Sequence, residues 1–394
     1  MVETITAEEL RDLQDSDQDY VLVDTRNQED FENWHVGGAV NVEYSYSDSE
    51  LRGDWDSVKE EYGIDEDTQI ITICAKGKAS EAFAEYLEDR GYDDVMSVDG
   101  GMEAWGAVYD KTKIATDRDE LEIIQVQRRS KGCLGYIVGC KETGEAAAID
   151  VTRHKNEYLD AASEHGYKIS AIFETHIHAD HLMKGARELR DELDVPYYLG
   201  SEAETRNPQF EYDPVEPNGT VEVGNVSIKA VHTPGHTTGS TSWLVEDVAL
   251  MTGDTLFVES VGRTELQFEG ADAEDASGVL YDTLQKMMSQ PDTVKVLPAH
   301  FSVTDDGEFI DVTPGQPMTA TIGYIRQNNE MIKMDKDEYV DAAFENMPSK
   351  PPNYENVIAT NEGKRELESE EEAEELELGP NRCAATEESV VADD

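Results

Sequence analysis

Apolar positions along this chain alternate between short runs of strand length and stretches with helical spacing. Thr6-Ala7-Glu8-Glu9 reads as a capping box that opens a short helix to about Leu13. Tyr20 to Asp24, Gln69 to Cys74 and Val95 to Val98 read as buried strands. Between the last two, Ala82, Phe83, Tyr86 and Leu87 have helical spacing from Ser80 until Gly91 stops it. Strands alternating with helices predict a parallel sheet covered on both faces. This block ends near Trp105, so the first domain is taken as residues 1–109 and the polar stretch 110–119 as a linker.

A second block, 120–363, opens with strands at Leu121 to Arg128, Gly132 to Val138 and Ala146 to Val151, the last two joined by a turn containing Gly144. Ile169 to Glu174 is a buried strand, followed by a helix at Leu182 to Leu193. Further strands are expected at Val226 to Val231, Ser240 to Val245, Val248 to Met251 and Val294 to Leu297, and helices at Ile322 to Lys333 and Asp335 to Glu345. Pro348 to Pro352 is expected to run extended. After about Gly363 the chain is Glu-rich and poor in apolar residues, which predicts a disordered acidic tail over 364–394.

The 394 residues suit two domains, and a 38% hydrophobic fraction fills their cores. The formal net charge is −55. The last thirty residues hold 12 acids and two bases, so about −45 belongs to the folded part. Such a surface repels itself in dilute buffer and is screened at molar salt, where the Debye length is about 3 Å. The composition therefore points to a halophilic source and away from a nucleic-acid partner. Four cysteines (Cys74, Cys133, Cys140, Cys383) make no disulfide framework. With no apolar leader and no 18-residue apolar run, the expectation is a cytoplasmic enzyme without a membrane partner; a homo-oligomer remains compatible with the sequence.

Metal-type residues recur at strand ends. Thr175 to His181 reads T-H-I-H-A-D-H and carries His176, His178, Asp180 and His181; His236 lies in T-P-G-H-T-T-G, Asp254 in M-T-G-D-T and His300 in V-L-P-A-H. Imidazole and carboxylate are ligand types for zinc, iron and manganese. An H-x-H pair at a strand end puts two imidazoles on one side, and Gly235 and Gly253 allow sharp turns beside the ligands. All seven together also suffice for a two-metal site. His35, His154, His165 and His232 are read as ordinary structural histidines, His232 lying nearest the site.

This constellation resembles the metallo-β-lactamase superfamily, an αβ/βα sandwich with metals at one edge, over roughly Leu121 to Val303. T-H-I-H-A-D-H with T-P-G-H-T is similar to its glyoxalase II and persulfide dioxygenase branch. Persulfide dioxygenases have G-R-T-D-F-Q after the aspartate, and this chain has Gly262-Arg263-Thr264-Glu265-Leu266-Gln267. That resemblance implies one Fe(II) per chain on His176, His236 and Asp254, with His178, Asp180, His181 and His300 as flanking residues or a second-metal set. It also implies substrate contacts from Arg263 and Thr264, with Arg263 as the catalytic orienting group. The implied reaction takes a low-molecular-weight persulfide and O₂ to sulfite and thiol. A glyoxalase II-like thioester hydrolase with two Zn²⁺ is the alternative.

Cys74 ends a buried strand and precedes Ala75-Lys76-Gly77-Lys78-Ala79-Ser80, where a helix begins. Backbone N–H groups and a helix N-terminus favour a thiolate or persulfide there. V-D-T-R (Val23 to Arg26), H-V-G-G-A-V-N (His35 to Asn41) and G-G-M-E-A-W (Gly100 to Trp105) resemble, in order, the single-domain rhodanese family. By that resemblance Cys74 carries sulfane sulfur, residues 75–80 form its cradle, and sulfite or thiosulfate is a partner. Cys133, Cys140 and Cys383 are expected to be non-catalytic.

Overall fold

The computed structural model describes every residue except Met1, Glu269, Asp311, 346–349, Pro352, Cys383 and 386–394. The chain divides into two units, one made of Met1–Val108, Arg128–Lys131 and Val303–Asp311, the other of the remainder. Most of the expected Pro-rich stretch lies outside the described residues.

In the first unit, five strands form a parallel sheet in the order Glu3–Ile5, Val95–Val98, Ile70–Ile73, Val21–Asp24, Ala39–Asn41. Ile70–Ile73 is buried throughout because both faces are covered, Ile70 packing with Phe83 and Leu87 and Ile71 with Leu10 and Trp105. Thr6 caps the helix Ala7–Gln14 through the reciprocal box with Glu9. The central strand delivers Cys74 to its carboxyl end, where parallel α/β sheets carry their ligands.

The second unit has a seven-stranded and a six-stranded sheet, each with strands in sequence order. Helices Lys155–Glu164 and Lys184–Leu193 cover the first, and Ala271–Met287 with Ile322–Asn328 covers the second. The sheets meet where Phe173 sets its ring at 74° to that of Trp243, 5.0 Å away. Trp243 Nε1 donates to the Glu174 carbonyl, satisfying a buried donor beside the histidine motif.

Two expectations are corrected. Residues 110–114, read as the start of a linker, form with Tyr109 the edge strand Tyr109–Ile114 of the seven-stranded sheet, and Tyr109 and Ile114 are buried. Its polar letters misled because an edge strand needs apolar residues only where it faces the core. Within the supposed disordered tail, Glu370–Leu376 is a helix capped by Ser369. Ala373 and Leu376 pack on Leu182 and Val357, so a narrow apolar face is enough when a core surface awaits it. Glu377 follows, its buried carboxylate accepting from the Leu182 amide (2.6 Å) and Arg153 Nε (2.9 Å). Residues 386–394 lie outside the described part.

Glu377→Ala leaves that amide and guanidinium without their acceptor, at a cost of about 2–4 kcal/mol. Thermal unfolding in high salt is expected to show a lower Tm, with exposed Glu366→Ala unchanged. A Glu377→Ala protein that melts with the parent rules out this anchor.

Candidate metal centre

Five strands of the second unit end around one buried space. Glu145–Ile149 leads to Asp150, Lys168–Phe173 to His176 and His178, Val226–His232 to His236, Ala249–Gly253 to Asp254, and Lys295–Pro298 to His300. Gly253 has φ +55°, and a Cβ there would stand 2.6 Å from Thr175 Oγ1. Gly235, at φ +139°, passes against Leu280 with similar closeness.

Contacts at Nδ1 orient the imidazoles of His176 and His236 so that Nε2 of each turns toward Asp254. His236 Nδ1 donates to the Arg263 carbonyl (2.7 Å), and His176 Nδ1 lies 3.0 Å from Thr175 Oγ1. Their Nε2 atoms stand 3.7 and 3.5 Å from Asp254 Oδ2. Bonds of about 2.1 Å to one ion put its ligands roughly 3.0–3.4 Å apart. His176 Nε2 and Asp254 Oδ2 are buried with no hydrogen-bond partner, an expensive state that a cation relieves. The residues present therefore fit a metal. His178 joins this group: donor atoms of His176, His178 and Asp254 lie within 4.8 Å of one another. Its Nε2 stands at ion-pair distance from Asp150 Oδ1 (3.4 Å) and Glu174 Oε2 (3.3 Å), and neither of its ring nitrogens has a hydrogen-bond partner.

Burial sets the protonation states. Desolvation, helped by neighbouring His178, pushes His176 down to about 3, so it is neutral and able to ligate. Burial alone would raise the carboxyl of Asp254, but His300 and His176 hold it well below the usual range. Burial raises Glu174, which lies beside His178, to about 7.

A second group comprises Cys133, Asp180, His181 and His300. His300 Nδ1 is 2.6 Å from Asp254 Oδ1, and its Nε2 is 2.8 Å from Asp180 Oδ2. Burial would lower His181, yet Asp180 and Cys133 raise it to about 10. Burial would likewise raise the Cys133 thiol, but His181 brings it to about 7.

Arg263 and Thr264, expected to touch substrate, are buried in the wall. The Arg263 guanidinium pairs with Glu265 and donates to the Arg382 carbonyl (3.0 Å). Thr264 Oγ1 bonds to the Ala273 carbonyl and meets Ser277 Oγ. Arg263 acts on the site through its own carbonyl, which orients His236. Cys133, expected to be non-catalytic, lies among these donors, and Asp150, Glu174 and Asn361 were not marked by the sequence. Asn361 is fully buried, and its amide donates to the carbonyls of His178 (2.9 Å) and His181 (2.7 Å) and accepts from Met183 N (2.8 Å). Nothing local marks Asn361, which lies far along the chain; Asp150, ending a strand, carries a weak local signal.

In the first unit, Cys74 is buried, with Ser80 Oγ 3.4 Å from its Sγ. Ser97 Oγ donates to Ser80 Oγ (3.0 Å), a supporting contact that the sequence did not mark. The helix starts at Lys78, two residues earlier than expected, with Gly77 at φ +84°. A cavity of about 360 Å³ opens at Cys74, lined by Arg26, Arg52, Lys76 and Lys78 among others. Arg26 is clamped by Asp24 (2.6 Å) and the Trp34 carbonyl (2.7 Å), and Lys76 pairs with Glu103.

Asn361→Ala removes three bonds from the backbone carrying His178 and His181. Chelator competition is expected to show metal affinity lower by about 10–100-fold, with the reactivity of Cys74 unchanged. Unaltered affinity sinks the role given to Asn361.

The Rhodanese-like domain family matches residues 6–108 and the Metallo-beta-lactamase superfamily matches residues 139–300. A hydroxyacylglutathione hydrolase of Rhodospirillum rubrum is 32% identical over 42% of this chain; the chain spans 60% of that relative's length. A probable polyketide biosynthesis zinc-dependent hydrolase of Bacillus velezensis is 30% identical, over 52% of this chain and 83% of its own. Among solved structures, a metallo-beta-lactamase of Staphylococcus aureus aligns with TM-score 0.56 and 26% identity over 64% of this chain and 75% of its own. ETHE1 from Myxococcus xanthus aligns with TM-score 0.50 and 23% identity over 61% and 98%, a likeness of fold. Among the described residues no helix is long and apolar enough to cross a membrane. The chain belongs to the metallo-beta-lactamase superfamily and carries a rhodanese-like domain in its amino-terminal part.

Proposed function

We propose that this protein is a persulfide dioxygenase coupled to a sulfurtransferase. The carrying observation is the carboxylate of Asp254. Its Oδ2 faces His176 and His236 while its Oδ1 is taken by His300 Nδ1. Such an aspartate suits a mononuclear two-histidine, one-carboxylate site better than a carboxylate bridging two ions. The Gly262 to Gln267 segment and the pairing of two sulfur-handling modules on one chain support the same reading.

Iron(II) on His176, His236 and Asp254 would supply the one-electron chemistry by which O₂ reacts with sulfur. The overall change takes a persulfide, O₂ and water to thiol and sulfite, with release of two protons. The protein's share is preorganisation. Arg263 and Thr175 fix two imidazoles, burial keeps His176 neutral, and Asp254 brings one negative charge. In the other unit Cys74 would take sulfane sulfur, with the Ser80 hydroxyl beside it and basic side chains around the cavity for an anionic donor such as thiosulfate.

A glyoxalase II-like thioester hydrolase with two zinc ions is the second reading. It is favoured by the hydroxyacylglutathione hydrolase of R. rubrum and by the additional donor set at Asp180, His181 and His300. There a metal-activated water would be the nucleophile.

Protein prepared anaerobically in molar salt is expected to hold iron at His176, His236 and Asp254, and to consume O₂ when given glutathione persulfide. His176→Ala should lose that uptake. Zinc in place of iron, with thioester hydrolysis and no O₂ uptake, would overturn the proposal in favour of the hydrolase. Cys74→Ser is expected to abolish sulfur transfer from thiosulfate while O₂ uptake continues; surviving transfer removes Cys74 from its role.

A further inference from the structure

The end of the chain runs against the segment that forms the wall of the metal centre. Ala384–Ala385 pairs antiparallel with Val261–Gly262, Val261 opposite Ala385 and Gly262 opposite Ala384. Just before this strand, the Asn381 side-chain amide donates to the Phe301 carbonyl (2.8 Å), and the Arg382 carbonyl accepts from Arg263 Nη1 (3.0 Å). We propose that Asn381–Ala385 is a positioning strand for the metal centre, added by the chain to the edge of its own Val261–Gly262 strand, and that tight metal binding depends on it.

That edge lies close to the ligands. A Cβ on Gly262 would fall 1.8 Å from the Asp254 carbonyl oxygen and 3.4 Å from His236 Cβ, so the Gly262 backbone is packed directly on both residues. Its neighbour Arg263 supplies the carbonyl that accepts from His236 Nδ1 (2.7 Å). Displacement of Val261–Gly262 is therefore passed to His236 and Asp254 together.

From its other side the segment is weakly held. Leu256 meets Val261 in an isolated bridge, the Phe257 amide donates to the Ser260 carbonyl (3.1 Å), and the Gly262 amide reaches the Thr255 carbonyl only at 3.4 Å, beyond a normal hydrogen bond. So short a strand has little stability of its own. Strand addition supplies main-chain hydrogen bonds whatever the side chains are, which suits a partner as plain as Ala384-Ala385. Asn381 fixes the incoming chain. It is buried, and its amide is bonded to the residue that follows His300, a commitment that a tail lying loosely on the surface would not make. The role is the same for an oxygenase and for a hydrolase, so it does not depend on the dioxygenase reading.

Chelator competition with cobalt(II) as the probe, in molar salt, tests the proposal without reading activity. Protein truncated after Ala385 is expected to bind cobalt as the parent does, and so is full-length Cys383→Ser. Truncation after Gly379 is expected to lower affinity by about 10–100-fold and to shift the visible bands of the bound cobalt, because the ligands are displaced and not lost. In the full chain Asn381→Ala should act in the same direction, by about tenfold. Unaltered affinity after truncation at Gly379, or an equal loss after truncation at Ala385 or in Cys383→Ser, overturns the proposal. Should the chain truncated after Gly379 not fold, Asn381→Ala decides: parental affinity and parental cobalt bands overturn it. O₂ uptake is measured separately, so a failed positioning strand and a failed oxygenase are told apart.

Discussion

A single buried carboxylate organises the second unit. Asp254 is almost wholly removed from water, and a lone charge there would be untenable. Its two oxygens are divided, Oδ2 facing His176 and His236 and Oδ1 meeting His300. That division separates two donor sets lying side by side. It also constrains the chain on either side of the aspartate. Gly253 must turn at positive φ against Thr175, and a Cβ on Gly262 would fall 1.8 Å from the Asp254 carbonyl. The glycines beside the ligand thus follow from how closely the backbone is packed around a buried charge.

The carboxyl-terminal segment serves the same end from the opposite side of the loop. Asn361 ties down the backbone of His178 and His181, Glu377 accepts from Leu182, and Arg382 offers its carbonyl to Arg263. A histidine loop has few apolar residues with which to hold itself, so its rigidity comes from hydrogen bonds made by distant residues. Glu265 has a related effect. By pairing with Arg263 it keeps a guanidinium buried and leaves the Arg263 carbonyl aimed at His236.

In the amino-terminal unit the constraint is simpler. The middle strand of a parallel sheet ends at Cys74, and the following backbone, pinned by Gly77 and the Met102 amide, curls around it. Ser97 and Ser80 form a short buried chain of hydroxyls that reaches the sulfur. A cluster of lysines and arginines at that mouth stands out on a chain with a formal charge of −55.

Both folds, and the seven histidine and aspartate positions, were legible in the sequence because each belongs to a short motif at a strand end. Spacing over a few residues sets local geometry there, and H-x-H on a turn converges almost regardless of surroundings. The edge strand at Tyr109–Ile114 and the helix at Glu370–Leu376 were not legible. Their composition is polar, and only a core surface from elsewhere made their few apolar side chains sufficient. Cys133, Asn361 and Glu377 were hidden for the same reason. Each is an ordinary residue until long-range packing buries it against the metal loop, and burial is what turns a thiol, an amide or a carboxylate into part of a site. Sequence alone thus determined which chemical groups reach the strand ends; the tertiary structure decided which partners those groups meet once water is gone.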